Sequence, residues 1–552
     1  MSKAVPRPSQ RDTVLSRRQI EGLIAEGRHV IIFEGRVLKV DAWIKFHPGG
    51  DKSIQHMVGR DATDEINALH SQEARQRMPS FQIGRIEGTW INFLPPIQGG
   101  KFRPYTEETC SSEEDLTSQE SSSQEGSLPP SPIFDAVDEF RIRHRYRGFD
   151  SPNQEFQPKP FFLDARTQEQ IVFDTAKYPS LDIACQEDIK HKYRKLNERI
   201  QAEGLYDCNY FAYFVECCRY TLFATLSYGF LRMGWWATSA FWLGCFWHQL
   251  VFTAHDAGHM GITHNFHVDS VIGIIIADYL GGLSLGWWKR NHNVHHIVTN
   301  APEHDPDIEH MPFFAISHRF LTSLRSTYYE RIMTFDAVAK FTLKFQDYLY
   351  YPIMLFARFN LYRLSWEYLL KGQAPKKGPA WWHLWLEVGG QIFFWTWFGY
   401  GVLYKSIPDW NSRFIFLLVS HMVTSPLHVQ ITLSHFAMST ADLGIHESFP
   451  QKMLRTTMDV DCPTWLDFFH GGLQFQAIHH LYPRMPRHNL RRAQNFILDF
   501  CRETGIPYAI FTFYDGNKEV ISRLGDVAKQ VRILEECRKS IAEHGVFSDH
   551  HH

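Results

Sequence analysis

Apolar residues are not spread evenly along this chain. They gather into runs between about residues 211 and 434, set off by polar stretches on both sides. A helix that crosses a bilayer needs about 20 mostly apolar residues. Four runs meet that length: 211–231, 234–253, 381–404 and 414–434. Charges interrupt two of them. Glu216 and Arg219 lie at a helical i,i+3 spacing that permits pairing, and Glu387 stands alone in the third run. Two further runs fall short. Residues 271–285 contain Asp278 and would extend about 22 Å as a helix, too little to cross. Residues 341–359 carry Lys344, Asp347 and Arg358. Both read as helices lying at the membrane interface. The pattern predicts an all-α integral membrane domain over residues 165–525 with four transmembrane helices and a cytosolic helical cap. A charged surface helix over 165–205 leads into it. A short strand and a helix come after Gly505, and a C-terminal tail occupies 526–552.

The polar first third divides in two. Residues 15–95 read as a compact α+β unit. Within it Phe46-His47-Pro48-Gly49-Gly50 presents His47 from a turn that proline stiffens and glycine permits, and His70 closes the stretch Asp61-Ala62-Thr63-Asp64-Glu65-Ile66-Asn67-Ala68-Leu69-His70. Residues 96–164 are rich in Ser, Glu and Pro and poor in apolar residues, the composition of a flexible linker. Such a tether holds the α+β unit at high effective concentration near the helical domain.

Bulk numbers narrow the class. A net charge of −3 gives no electrostatic case for nucleic acid. An aromatic share of 15 % with 16 Trp suits membrane-interface belts, while a mean hydropathy of −0.29 requires polar domains beside the spans. The nine cysteines show no CxxC spacing, so a reducing compartment is favoured over a disulfide framework. Residues 1–19 have no apolar core of a cleaved signal peptide.

The candidate chemistry lies in three histidine groups: His255-Asp256-Ala257-Gly258-His259, His292-Asn293-Val294-His295-His296 and Gln476-Ala477-Ile478-His479-His480. Residues three and four apart share one helix face. Neutral imidazole suits iron, and seven such nitrogens exceed what one ion takes, which points to two ions. Asp256, Asp305 and Asp307 are candidates to orient ligating imidazoles, and equally candidates for helix caps.

These three boxes resemble those of the membrane fatty-acyl desaturases. Gln476 at the head of the third box is similar to the front-end subgroup, which carries a fused cytochrome b5 domain. Residues 15–95 resemble such a domain. The resemblance implies His47 and His70 as axial ligands of haem b, and closure of both haem faces favours electron transfer. It implies two non-haem irons held by His255, His259, His292, His295, His296, His479 and His480, with His435 joining at a span exit and Gln430 as a weaker supporting candidate. Gln476 is expected at the catalytic site without offering imidazole. His248, His421 and His428 lie within spans and are not assigned to the metals. Dioxygen is the expected co-substrate, with electrons from NADH through a cytochrome b5 reductase.

Two spans precede the first box, none separates the first from the second, and two separate the second from the third. All boxes and the haem domain then share one face, expected to be the cytosolic face of the endoplasmic reticulum membrane. The Gly471–Arg487 stretch resembles fungal enzymes that desaturate carbon 8 of the ceramide long-chain base. A position 5 or 6 acyl-lipid desaturase shares every box, and a non-catalytic electron carrier is a third possibility. Double-bond geometry, chain length, head-group preference, hydroxylase side activity and oligomeric state stay open.

Overall fold

The computed structural model describes residues 10–105 and 161–544. Most of the expected linker and the last eight residues of the tail lie outside the described residues.

The N-terminal domain is built on a three-stranded antiparallel sheet of β1 (Val30–Phe33), β2 (Arg36–Lys39) and β3 (Gln82–Arg85), in that order. All four β1 residues, Val-Ile-Ile-Phe, are buried, because both faces of that strand are covered. Helix α1 (Arg17–Ala25) starts on a capping box in which Ser16 and Gln19 exchange hydrogen bonds. Three short helices, α2 (Asp51–Gln55), α3 (Thr63–Leu69) and α4 (Gln72–Arg77), come after β2. His47 sits just before α2 and His70 caps the C-terminus of α3.

The second domain is helical: α5 (Phe161–Lys177), α6 (Ile183–Ala202), α7 (Tyr210–Arg232), α8 (Trp236–Gly258), α9 (Phe266–Ile274), α10 (Leu285–Val298), α11 (Ala337–Leu343), α12 (Gln346–Met354), α13 (Ala357–Leu370), α14 (His383–Phe394), α15 (Trp410–Met422), α16 (Ser425–Phe436), α17 (Phe449–Thr456), α18 (Gln476–Leu481), α19 (Arg487–Thr504) and α20 (Phe513–His544). Two short strands, β4 (Asp459–Asp461) and β5 (Ile510–Thr512), pair in parallel and tie the third box to the cap. The strand and helix expected after Gly505 are β5 and α20. That helix runs through the expected tail boundary at 525, with Val527, Ala528 and Val531 buried against α12 and α16.

Four transmembrane helices are not what the structure shows. Among the described residues only Trp410–Phe436, where α15 continues into α16, is both long and apolar enough to cross a membrane. Helices α7 and α8 have the length, 23 residues each, but not the composition. Helix α7 carries Glu216 and Arg219, and the second half of α8 carries His248, Gln249, His255 and Asp256. The 381–404 run breaks into the 12-residue α14 and a π-helical stretch, Trp395–Ser406. Residues 341–359 are likewise three short helices, whose inner face (Leu343, Tyr350, Met354) is buried on the protein. The short run at 271–285, expected to lie at the interface, ends in a break. Helix α9 with the π-helical turns after it meets α10 at a bend of 117°.

Glu216 and Arg219 do not pair. Glu216 takes Arg487, and His488 at 2.8 Å, while Arg219 donates to Gln249 at 2.9 Å. Both charges serve neighbouring elements and leave the outer face of α7 to Phe211, Phe214 and Leu222, all exposed.

Candidate di-metal centre and haem site

The three boxes converge because each sits at a helix end facing the same core. His255 and His259 close α8, the second box lies along α10, and His479 and His480 lie on α18. Ligand-capable atoms of His255, His259, His292 and His479 lie within 4.8 Å of one another, and so do those of His295, His435 and His480. His296 stands between the two sets, with its ring centroid 4.8 Å from that of His259 and 4.2 Å from that of His480. Seven of the eight histidines nominated for the metals fall in these two sets, His435 included, and His296 belongs to neither. Gln476 is buried at the first turn of α18, one helical turn before His480. His248, His421 and His428 are buried elsewhere and join neither set.

The imidazoles are prepared as neutral ligands. His295 Nδ1 lies 2.9 Å from Asp305, whose carboxylate also accepts from the backbone N–H groups of Asn300 (2.7 Å) and Asp307 (2.9 Å). Asp305 thus both caps a turn and fixes the His295 tautomer, leaving Nε2 with its lone pair. His292 Nδ1 lies 3.4 Å from Asp307. Burial pulls His292 down to about 4 and holds His259, His296, His479 and His480 well below the ordinary imidazole value. His295 is the exception. Burial opposes its protonation, but the carboxylates of Asp305 and Asp307 outweigh that and raise it.

The donor set fits metal ions. Nε2 of His295 faces Nε2 of His480 at 3.2 Å, and Nε2 of His292 faces Nε2 of His296 at 3.1 Å. Converging lone pairs at that separation are what a shared cation satisfies. His259 Nε2, His479 Nε2 and His435 Nδ1 are buried and accept no hydrogen bond. Two nitrogen-rich sets side by side fit two ions of the imidazole-binding type.

Asp256, a candidate both to orient an imidazole and to cap a helix, is anchored from behind. It accepts from Tyr213 OH and from Arg487, and Arg487 also reaches Glu216. Its nearest oxygen is 3.9 Å from His255 Nδ1. The sequence reading missed Arg487. Its signal was the need for a cation between the buried carboxylates at 216 and 256.

In the N-terminal domain His47 and His70 face each other with ring centroids 5.8 Å apart and planes tilted by 33°. His47 Nδ1 lies 2.8 Å from the Gly50 carbonyl and His70 Nδ1 3.3 Å from that of Ile66. Both contacts turn Nε2 inward, and burial lowers both rings, His70 to about 3. A flat macrocycle whose metal takes one nitrogen on each side fits between them.

This domain is seated on the metal helices. Arg194 pairs with Asp64 at 2.8 Å, Arg290 pairs with Asp51 at 2.8 Å, and Arg484 donates to the His70 carbonyl at 3.0 Å. Gly49 packs directly on α10. A Cβ there would stand 2.7 Å from the Asn293 side-chain nitrogen, so a larger residue would displace that side chain.

Residues 233–512 match the model of the fatty acid desaturase family, and residues 16–87 match that of the cytochrome b5-like heme/steroid binding domain. The chain is 74 % identical over 547 residues to a "Delta 8-(E)-sphingolipid desaturase" of Emericella nidulans, covering 98 % of this chain and 99 % of that protein. The chain belongs to the fatty acid desaturase family. This desaturase is also 45 % identical over 579 residues to a protein of the same name from Candida albicans, covering 97 % and 98 % of the two chains. It is 35 % identical over 509 residues to "Delta(8)-fatty-acid desaturase 2" of Arabidopsis thaliana, covering 91 % and 90 %. A fused cytochrome b5-type domain and a desaturase domain therefore share one chain, and the histidine clusters lie in the second.

Proposed function

We propose that this desaturase introduces an E double bond at carbon 8 of the sphingoid long-chain base of ceramide. The observation that carries the reading is the convergence of two histidine sets, His255, His259, His292 and His479 beside His295, His435 and His480, under a seated bis-histidine domain. His255, His259, His292, His295, His296, His435, His479 and His480 would hold two irons, and His47 and His70 would hold haem b. Two such irons supply the activation of O₂ that an unactivated alkyl chain requires, a task beyond side-chain acids and bases. The balance is simple. Two C–H bonds break, one C=C bond forms, and O₂ with two electrons and two protons leaves as two waters. A haem held by His47 and His70 would supply one-electron transfer, with NADH and a cytochrome b5 reductase as the proposed source of electrons.

Residues of this chain do the remaining work. Asp305 and Asp307 fix the second-box tautomers, and Arg487 holds Asp256 and the end of α8 in place. The carbon-8 position, the E product and the sphingolipid substrate are supported by the names of the fungal relatives. Membrane residence is supported by the apolar stretch at 410–436 and by rows of exposed aromatic side chains, among them Phe211, Phe214, Trp385, Phe393, Trp410 and Phe414. We assign the endoplasmic reticulum membrane, with boxes and haem domain on the cytosolic side.

The test is lipid analysis of a host without carbon-8 unsaturated sphingoid bases that expresses this chain. The expected result is a new E double bond at carbon 8 of those bases. New position 5 or 6 double bonds in acyl chains, with sphingoid bases unchanged, would replace this reading with the acyl-lipid one. No new double bond in either pool, with haem bound and reducible, would leave an electron carrier.

A further inference from the structure

Thr299 and Asn300 follow α10 directly, and both are buried. Between them they reach all three histidines of one set. Thr299 Oγ1 donates to the His295 carbonyl at 2.6 Å, which leaves a lone pair of the same oxygen for His480 Nδ1 at 3.4 Å. That contact does for His480 what Asp305 does for His295. Each puts the Nδ1 proton on the outside of its ring, and the two Nε2 atoms converge at 3.2 Å.

Asn300 reaches the third histidine. Its side-chain nitrogen donates to the His435 carbonyl at 2.8 Å and to the Thr456 carbonyl at 3.1 Å, with the Ser439 carbonyl at 3.3 Å. Three carbonyl oxygens meet one end of this amide, so that end is the donor. The backbone N–H of Asn300 donates at 2.7 Å to the Asp305 oxygen that lies 2.9 Å from His295 Nδ1. One residue therefore joins the carboxylate behind His295 to the backbone of His435, which comes from a different helix. His435 Nδ1 makes no hydrogen bond, so the hold on its backbone carries more of its placement.

Asn300 stands at a φ of 58°, the left-handed conformation that ends a helix. Glycine adopts it without cost. The amide Oδ1 of Asn300 is buried without a donor, a penalty that a residue serving the turn alone would not carry. The side chain is explained by its nitrogen. Among the described residues neither Thr299 nor Asn300 hydrogen-bonds to His255, His259, His292 or His479.

We infer that Thr299 and Asn300 are positioning residues for one of the two ions. They lock His295, His435 and His480, contributed by α10, α16 and α18, into a single site, while the other set is held without them. The inference rests on the di-iron reading above, and it makes the two sites unequal in what secures them.

The test uses the full-length protein in lipid nanodiscs, loaded with isotopically enriched iron. Asn300→Gly keeps the left-handed turn and removes the amide. Thr299→Val keeps the shape and removes the hydroxyl. Each should speed capture of one iron by a chelator about 10–100-fold, the usual cost of losing a partner behind a metal ligand, and leave the other at the wild-type rate. The Mössbauer doublet that weakens should be the one missing in His435→Ala, not the one missing in His255→Ala. Thr299→Ser keeps the hydroxyl and should restore slow release. Phe398→Leu, in a core cluster that contains none of the ligands, should lower the melting temperature and leave both release rates unchanged. Equal acceleration of both irons, loss of the His255 doublet, the same selective release in Phe398→Leu, or wild-type release in both Asn300→Gly and Thr299→Val would overturn the assignment. Fewer than two irons in the wild type would instead remove the reading on which it rests.

Discussion

Arg484 donates from Nη1 to the backbone carbonyl of His70 at 3.0 Å, and so ties a haem-side histidine to the loop that leaves the third box. Arg484 stands only four positions after His480 in the chain. The same guanidinium lies 3.3 Å from His264 Nδ1, so one side chain joins three segments. The N-terminal domain is thus fixed by directed contacts beside His70.

Removing this contact should slow electron delivery without touching either cofactor. Arg484→Met is expected to leave the haem absorption spectrum and iron content unchanged. Reoxidation of the reduced haem in the presence of O₂ and ceramide should slow about tenfold, since one charge-assisted hydrogen bond no longer favours the seated state. Stopped-flow absorbance checks this, and an unchanged reoxidation rate would refute it.

The two cofactor sets should be separable. His47→Ala should abolish the haem spectrum while iron analysis still returns two irons per chain. His259→Ala, His296→Ala or His480→Ala should each end activity and keep the haem bands, because the N-terminal domain has its own core around Ile20, Val30, Ile32 and Val37. Chelation of the irons should lower the melting temperature, since the ligands bridge α8, α10, α16 and α18 and a bound ion stabilises the folded form by mass action.

Arg487 is the structural counterweight to two buried carboxylates. Arg487→Met leaves Asp256 and Glu216 without their cation and should destabilise the membrane domain by about 3–5 kcal/mol, the usual cost of breaking a buried pair on one side. Thermal unfolding measures it. A double change to Arg487→Met with Asp256→Asn should recover part of the loss.

Asp459 provides a pH signature. It is fully buried at the start of β4 and accepts from the Ala477 N–H at 2.7 Å, just before the third-box histidines. Burial raises its acid from 3.8 to about 7. A folded value above the unfolded one means that the folded state holds the proton longer. Stability from this group is full below about pH 4, falls as pH rises towards 7, and stays lost above it. Asp459→Asn, which keeps the acceptor for Ala477, should flatten the difference in melting temperature between pH 5 and pH 8. A difference as large as in the wild type would sink the assignment.

Much of the site was legible because helical periodicity is local. HxxxH and HxxHH state which side chains share a face, and the structure brings those faces together. His47 was legible in a turn that proline and glycine prescribe, and its pairing with His70 through the resemblance to cytochrome b5 domains. The illegible parts depend on distant partners. Glu216 looked like a partner for Arg219 because of their i,i+3 spacing, yet its cation comes from 271 residues away at Arg487. The span count erred for a related reason. Length is read along the chain, but the polar groups of α8 face the protein interior, so a helix long enough to cross carries a composition that a run of apolar residues does not suggest.

The bend between α9 and α10 carries a consequence for biosynthesis. The first box precedes α9 and the second lies on α10, yet His259 and His292 have ring centroids 5.1 Å apart. The two limbs, joined at 117°, therefore bring the first and second boxes to one place. If the proposed cytosolic placement of the boxes holds, the hairpin, which ends in the glycine pair Gly281-Gly282, is not carried across during synthesis. A glycosylation acceptor introduced into the loop after Asn300 should stay unmodified, and its modification would mean that the hairpin had been carried across.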